Sequence, residues 1–379
     1  MSTHTEPRAL GELLTPAAIV DLNCMAANLD RMAAYVKRTN LTLRPHTKTH
    51  KTPEFAAEQI RRGAVGLTVA TLREAEVMSA VSDDLLLAYP PVGPQKLARL
   101  FDLPDHVRVT VGLDSVEALE GLAAYALVRG RSVGVLVEID AGMHRVGIGE
   151  PATAANLSRR IADHPNLVWR GLMFYPGHIR EPVDQQAASL RALQETMDRF
   201  AEALERVGLT PDIVSGGSTP AAFQSHQVDR LTEIRPGTYI FNDRTTVAVG
   251  ACAFADCAYT VLATVVSTSV PGQAVVDAGS KALSREDIRG ADAPGFGVLL
   301  DQPDVMVKGM SEEHGLLDLS HTDWRPRIGE RVRIVPNHVC VSVNLHDRLW
   351  GVYGDVIETS WPIQARNWSA APAAVPAGG

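Results

Sequence analysis

Cysteine, positive charge and long apolar runs are all scarce in this sequence. The four cysteines, Cys24, Cys252, Cys257 and Cys340, include no C-x-x-C spacing. In a chain of 379 residues this favours reduced thiols and a cytoplasmic location over a disulfide framework. The formal net charge of −8 argues against nucleic acid or an anionic membrane surface as partner, because the phosphates of either would repel the chain.

Nothing in the sequence indicates targeting or membrane insertion. The first residues, MSTHTEPRALGELL, lack the basic start and apolar run of a signal peptide. The most strand-like apolar run, 257–270, is interrupted by Thr and Ser, and it is shorter than the about 20 residues that a membrane-spanning helix needs. A small molecule is therefore the expected partner, with neither nucleic acid nor membrane.

Short runs of Val, Ile and Leu recur through the first two thirds of the chain, with helical patterns between them. Such runs suit parallel strands that are buried on both faces. Repeated βα units predict an α/β fold, a TIM-type (β/α)8 barrel whose chemistry lies at the C-terminal ends of the strands, with a doubly wound sheet as the alternative. The predicted strands are 19–22, 43–48, 66–70, 84–89, 107–114, 134–140, 169–175, 211–218 and 233–241.

The pattern changes after about Gly250. The segments 261–270, 274–278, 330–340 and 349–361 alternate apolar and polar residues and are separated by Gly and Pro. This alternating pattern predicts a C-terminal antiparallel β domain. We therefore expect a barrel domain over residues 15–250, a β domain over 251–368, and a disordered Ala/Pro/Gly tail over 369–379.

The segment RPHTKTHK ends an early predicted strand and carries Lys48. A strand-end lysine can point into a barrel mouth, where neighbouring cations lower its pKa and favour imine formation. Arg44, His46, His50 and Lys51 supply such cations. The alternative is a basic strand end that is merely solvated.

Two further segments could hold an anionic cofactor. In EIDAGMHRVG, an apolar strand leads through a glycine turn to Arg145, which could bind an anionic ring oxygen; a structural Asp–Arg pair is the alternative. In VSGGSTP, consecutive backbone N–H groups could cradle a phosphate, and RPGTY after the next strand could close the same pocket. A Gly-Gly turn by itself is common.

The β domain contains PNHVC. If this segment is a strand, His338 and Cys340 face the same side and could present an imidazole and a thiolate to Zn²⁺. Two protein ligands would leave open positions, as a catalytic metal requires. The alternative is a histidine and a cysteine that pack at a domain interface.

These segments, in this order, resemble the family that includes D-threonine aldolase, 3-hydroxy-D-aspartate aldolase and the eukaryotic-type D-serine dehydratase. All of them have the alanine racemase fold. The resemblance runs from about residue 15 to residue 366 and implies pyridoxal 5'-phosphate (PLP), with Lys48 as the Schiff-base lysine. It also implies a divalent metal, Zn or Mn, on His338 and Cys340, a D-amino acid substrate, and a homodimer.

The resemblance also implies roles for further residues, which are identified by their motifs. Arg145 in GMHRVG matches the arginine that contacts the phenolic oxygen of the cofactor, and Tyr175 falls where the family has an aromatic beside the ring. His178 follows in the segment PGH, which differs from the HGS-like motif of the family. His178 and His46 are the other catalytic candidates. The predicted phosphate contacts are Gly216, Gly217, Ser218, Thr219 and Tyr239.

The expected activity is that of a lyase on D-β-hydroxy-α-amino acids. Cys340 matches the His-and-Cys pair of the dehydratases, whereas the segments VNLHD and WPIQAR look more like the aldolases. On balance the sequence favours retro-aldol cleavage to glycine and an aldehyde. The alternative is dehydration of D-serine or D-threo-3-hydroxyaspartate to a 2-oxo acid and ammonia. An amino-acid racemase, a PLP-carrying homeostasis protein and a PLP-free barrel hydrolase are the remaining alternatives.

Overall fold

The structure, a computed structural model, describes residues 7–291 and 293–367. The described chain divides into two compact units. The barrel unit consists of Met32–Ile179, Asp184–Gly237 and residues 364–367. The sheet unit consists of residues 7–31, Arg180–Val183 and Thr238–Ile363.

Strands and helices alternate through the barrel unit and strands dominate the sheet unit. The strands are β1 (Ala17–Asp21), β2 (Thr42–Leu43), β3 (Leu67–Val69), β4 (Asp84–Leu87), β5 (Arg108–Leu113), β6 (Val133–Glu138), β7 (Leu167–Met173), β8 (Ile213–Gly216), β9 (Glu233–Ile234), β10 (Tyr259–Ser267), β11 (Gln273–Val276), β12 (Gly297–Leu299), β13 (Val307–Met310), β14 (Gly315–Asp318), β15 (Arg331–Pro336), β16 (Arg348–Tyr353) and β17 (Val356–Pro362). The α-helices are α1 (Leu22–Thr39), α2 (Pro53–Arg61), α3 (Leu72–Met78), α4 (Pro94–Phe101), α5 (Val116–Arg129), α6 (Pro151–Ala162), α7 (Ala187–Arg206), α8 (Arg244–Ala248), α9 (Ser280–Leu283) and α10 (Val339–Leu345).

The barrel unit is a closed eight-stranded parallel sheet in the order β2-β9-β8-β7-β6-β5-β4-β3. Its two end strands meet, because His46 forms a parallel bridge with Thr68. The Val65 N–H donates to the Leu43 carbonyl, and the Thr68 N–H to the Pro45 carbonyl, both at 2.9 Å. The predicted (β/α)8 barrel is confirmed, and the doubly wound alternative is excluded because such a sheet stays open.

The strand runs of the barrel are buried on both faces, as their composition predicts. Val111, Val135 and Val137 are each 0% exposed. Successive residues are buried without alternation because helices cover the outer face of a barrel while side chains fill its interior.

Lys48 does not end a strand in the structure. The predicted strand 43–48 stops at Leu43, and Lys48 lies in the 3₁₀ turn Thr47–Thr49. Pro45 explains the early end, because proline has no N–H with which to continue the ladder. The barrel bridge at His46 still holds this segment at the C-terminal end of the sheet.

The sheet unit is built on a nine-stranded, mostly antiparallel sheet, so the predicted β fold of this part is confirmed. Its membership differs from the prediction. The segment 19–22, predicted as a barrel strand, belongs to β1, which pairs antiparallel with β10 and parallel with β16. The chain thus divides after Gly237 instead of at residue 250, and residues 7–31 join the sheet unit.

The segment after β15 is a helix, which corrects the predicted strand 330–340. Strand β15 ends at Pro336, His338 is the extended N-cap residue, and Cys340 lies in the first turn of α10. The predicted tail 369–379 lies outside the described residues. In the part of the chain that is described, no helix has the length and apolar character needed to cross a membrane.

Candidate active site

Lys48, Arg145 and Tyr175 come together at the C-terminal end of the barrel. The Lys48 Nζ atom lies 5.7 Å from the centroid of the Tyr175 ring. The Arg145 Cζ atom lies 5.0 Å from the same centroid. Three segments that are separate in the sequence meet here because the ends of parallel strands share one edge of a barrel.

The Tyr175 ring is held by the turn that follows it. A Cβ atom on Gly177 would collide with that ring, so only glycine fits there. Tyr175 and Arg145 also line one small cavity together with Glu138. The arrangement presents an aromatic face and a guanidinium to the same space.

His46 is an uncharged neighbour of this cluster. Burial lowers its pKa well below the ordinary value, and the charges of Lys48, Arg235 and Lys51 lower the pKa further. Its Nδ1 atom is buried without a hydrogen-bond partner. A neutral imidazole with a free buried nitrogen can accept or donate one more hydrogen bond.

The turn SGGST follows β8 in the form that a phosphate site needs. Gly217 has a φ of +89°, which glycine adopts without strain. A Cβ on Gly216 would collide with the Phe174 ring, so the backbone here approaches its neighbour closely. Ser218 and Thr219 are buried, and the Ser218 Oγ atom has no hydrogen-bond partner. In a glycine-rich turn at a strand end, such a hydroxyl is available to donate to an additional acceptor.

His178 is exposed and lies over the loop that leads to Arg145. A Cβ on Gly142, whose φ is +111°, would come within 3.0 Å of the His178 Nε2 atom. The imidazole therefore packs on bare backbone, and Gly142 keeps that space open. Tyr239, the other predicted phosphate contact, belongs to the sheet unit, where it is 3% exposed in the turn Thr238–Ile240.

Sequence reasoning passed over a buried ionic network beneath Tyr175. The Arg235 guanidinium donates to the Ser215 hydroxyl at 2.7 Å and to the Phe174 carbonyl at 2.8 Å. The Ser215 hydroxyl donates to Glu233 at 2.5 Å, and Glu233 also accepts from Arg44 at 2.8 Å. The signal was present, since Glu233 and Arg235 are two apart in the predicted strand 233–241, and residues at that spacing on a strand face the same side.

The sheet unit contains the predicted metal-ligand pair. The His338 Nδ1 atom lies 3.0 Å from Asp243 Oδ2, and the Cys340 Sγ atom lies 3.7 Å from Thr238 Oγ1. Burial by itself would lower the pKa of His338, but the charge of Cys340 and the bonds to Asp243 and Cys340 raise it to about 11. Among the described residues no cluster of three or more metal-binding side chains occurs, so this pair would share the metal with water or substrate.

A closed barrel with a lysine at its C-terminal end, an arginine over an aromatic ring and a Gly-Gly-Ser segment after a strand is typical of enzymes with the alanine racemase fold. The chain belongs to the family of the alanine racemase N-terminal domain, whose profile matches residues 20–245. A serine dehydratase domain matches residues 258–352.

Curated relatives extend over nearly the whole chain. D-threonine aldolase from Arthrobacter sp. is 31% identical over 366 residues, which cover 95% of this chain and 94% of that enzyme. D-threo-3-hydroxyaspartate dehydratase from Delftia sp. is 34% identical over 346 residues, which cover 86% of this chain and 91% of that enzyme. The chain is therefore a lyase of this PLP-dependent family.

Solved structures agree with this assignment. The crystal structure of D-threonine aldolase from Filomicrobium marinum has a TM-score of 0.86 at 33% identity, over 95% of this chain and 97% of that one. The D-threo-3-hydroxyaspartate dehydratase structure also has a TM-score of 0.86, at 32% identity, over 94% and 99% of the two chains.

Proposed function

We propose that this protein is a PLP- and divalent-metal-dependent lyase that acts on D-β-hydroxy-α-amino acids. The observation that carries the proposal is the cluster of Lys48, Arg145 and Tyr175 at the barrel end, within 5.7 Å of one ring. An amine, a permanent cation and an aromatic face are the three groups that a phenolic pyridine aldehyde needs around it.

The barrel unit fits PLP. Lys48 would hold the aldehyde carbon, Arg145 would donate to the phenolic oxygen, and Tyr175 would lie beside the ring. Gly216, Gly217, Ser218 and Thr219 would receive the phosphate, with the unpartnered Ser218 hydroxyl as one donor. When bound, PLP supplies an electron sink for the bonds at the substrate Cα.

The chain's own groups would then handle protons and orientation. The Lys48 Nζ atom is the base that takes a proton from the substrate and returns it. Neutral His46 beside it can hold Lys48 or the substrate through one hydrogen bond without adding charge. His178, exposed above Gly142, is the proposed substrate contact on the open side of the site.

His338 and Cys340 would hold the metal. Imidazole and thiolate are ligands that suit Zn²⁺, and Mn²⁺ is the other proposed ion. A histidine-to-alanine variant of the Delftia-type dehydratase has been solved, as has a cysteine-to-alanine variant in a metal-free form. The substituted positions in that enzyme are two residues apart, which is the spacing of His338 and Cys340. The metal supplies Lewis acidity toward the β-hydroxyl.

We infer dehydration as the reaction, although the sequence motifs by themselves favour retro-aldol cleavage. The segments that suggested cleavage have structural contacts: the His346 Nε2 atom lies 3.0 Å from the Ala282 carbonyl, and the Asp347 carbonyl accepts from the Ile363 N–H. The first contact gives the histidine of VNLHD a structural role, and the second joins backbone groups, so neither contact ties these segments to cleavage. Cys340 would supply a soft thiolate ligand that suits Zn²⁺, and a metal held there would supply Lewis acidity toward the hydroxyl that leaves.

Retro-aldol cleavage is the second candidate, because two aldolases among the relatives cover 95% and 94% of this chain. Product identity separates the two. Incubated with D-threo-3-hydroxyaspartate, D-serine and D-threonine, the purified enzyme is expected to release ammonia and a 2-oxo acid. Glycine with an aldehyde would establish cleavage instead. Absence of both products, in protein that carries PLP and metal, would contradict the lyase proposal.

Substitution of Ser218 by alanine is expected to weaken PLP binding. A hydrogen bond to a charged group contributes about 1.5–3 kcal/mol, which corresponds to roughly a 10–100-fold rise in the PLP dissociation constant. Equilibrium dialysis followed by absorbance of the retained cofactor measures it. Ser158→Ala is the matched control, because Ser158 Oγ is also buried without a partner but lies on α6. Equal PLP retention by the two variants would remove Ser218 from the phosphate site.

A further inference from the structure

Asp243 is a buried carboxylate that contacts the predicted ligand His338 and the backbone that connects it to Cys340. It is 0% exposed, in the residue before α8. Its Oδ2 atom lies 3.0 Å from the His338 Nδ1 atom and accepts from the Val339 N–H at 3.1 Å. Val339 is the residue between His338 and Cys340, so one oxygen contacts the ligand ring and the peptide that joins the two ligands.

The other carboxylate oxygen of Asp243 is also fully used. Its Oδ1 atom accepts from the Thr246 N–H at 2.9 Å and from the Thr246 hydroxyl at 3.0 Å. Each oxygen thus faces two groups, and the side chain cannot rotate without losing bonds on both sides. A buried carboxylate fixed in this way holds its partners rigidly.

The contact with His338 decides which ring nitrogen is available. A carboxylate only accepts hydrogen bonds, so the Nδ1 atom must carry a proton toward Asp243. The Nε2 atom is then the ring nitrogen that a metal ion can bind by displacing its proton, in a side chain that remains 29% exposed. Histidine ligands of metals are oriented by such carboxylates, and loss of the partner lowers metal affinity by about 10–100-fold.

We propose that Asp243 is the positioning residue of the metal centre. It fixes the tautomer of His338 and the backbone between His338 and Cys340, so that a metal ion would bind the His338 Nε2 atom. The inference rests on the proposed function, because it requires the metal on His338 and Cys340. Asp243 itself is not a ligand in this proposal.

The test is metal affinity of PLP-loaded full-length protein after chelation, with Zn²⁺ titrated by calorimetry. In Asp243→Asn the amide NH₂ must face hydrogen-bond donors either at His338 or at Thr246. The variant therefore cannot accept from the His338 Nδ1 proton and also keep both bonds to Thr246. Affinity is expected to fall about 10–100-fold while PLP absorbance is unchanged. The matched control is Asp277→Asn, because Asp277 also accepts a backbone N–H in the sheet unit, from Thr264 at 2.7 Å. Its affinity should equal that of the wild type.

The outcomes separate this inference from the function on which it rests. Wild-type affinity in Asp243→Asn overturns the positioning role and leaves the metal site standing. Absence of Zn²⁺ binding by the wild type overturns both. If Asp243→Asn does not fold, ¹⁵N-histidine spectra of the Zn²⁺-loaded wild type decide, with His338→Gln assigning the signal. Protonated Nδ1 and metal-bound Nε2 support the inference, and metal on Nδ1 overturns it.

Discussion

Lys48→Ala is expected to lower turnover by roughly 10³-fold or more, because it removes the amine that binds the aldehyde and carries the proton. The purified variant should lose the visible absorbance of the wild type. Its melting temperature should stay close to that of the wild type, because the 5.7 Å contact with the Tyr175 ring contributes about 1 kcal/mol at most. Steady-state kinetics, absorbance and calorimetry on one preparation measure all three effects.

Lys51→Arg is the matched control for this prediction. Lys51 lies in the same segment, but its Nζ atom pairs with Glu74 at 3.2 Å and has a structural partner. Arginine keeps that charge, so the control should retain colour and activity. Borohydride should fix the cofactor to the peptide at Lys48; label at Lys51 would mean that the wrong lysine has been assigned.

His338→Ala is expected to abolish metal binding and to lower turnover by roughly 10³-fold, which corresponds to the several kcal/mol that a Lewis-acid metal contributes. PLP absorbance should persist, because the residues proposed to bind the cofactor are unchanged. The variant should also be less stable by about 1–3 kcal/mol, since buried Asp243 loses one hydrogen-bond donor. Elemental analysis and kinetics are therefore made well below its melting temperature.

The reference for His338→Ala is the chelated wild type, which should show the same low activity and recover it with Zn²⁺ or Mn²⁺. His346→Asn serves as a histidine control in the sheet unit, because that ring contacts the Ala282 carbonyl. It should keep its metal. Full activity in wild-type protein that elemental analysis shows to be free of metal would refute the role of the metal.

The barrel could be predicted because the residue composition of its strands reflects burial on both faces. The strands β5 and β6, RVTVGL and VGVLVE, are rich in Val and Leu, a composition that suits a strand covered on both faces. The site motifs were readable for a similar reason. A Gly-Gly turn or a basic segment such as RPHTKTHK is a local feature, and its position at the end of a predicted strand indicates the edge on which it lies.

The strand predicted around Cys340 shows the limit of local pattern. Val339, Val341 and Val343 alternate with other residues and favour a strand by propensity. The structure has α10 there instead, because Asp243 accepts from the Val339 N–H and because Ser342, buried, donates to the Ala282 carbonyl at 2.7 Å. Those partners are distant in sequence, and tertiary contacts override a weak preference.

By itself the sequence determined the barrel and the β fold that follows it, since burial and turn geometry restrict which residue types occur there. Its motifs also predicted the residues that are proposed to carry the chemistry. Only the tertiary structure decided that β1 joins the sheet unit, because a short apolar strand has the same composition in either sheet. It alone also decided the partners of the functional groups. Asp243 reaches His338 across 95 positions, and Arg235 reaches Phe174 across 61, separations over which the order of residues in the chain contains no distance information.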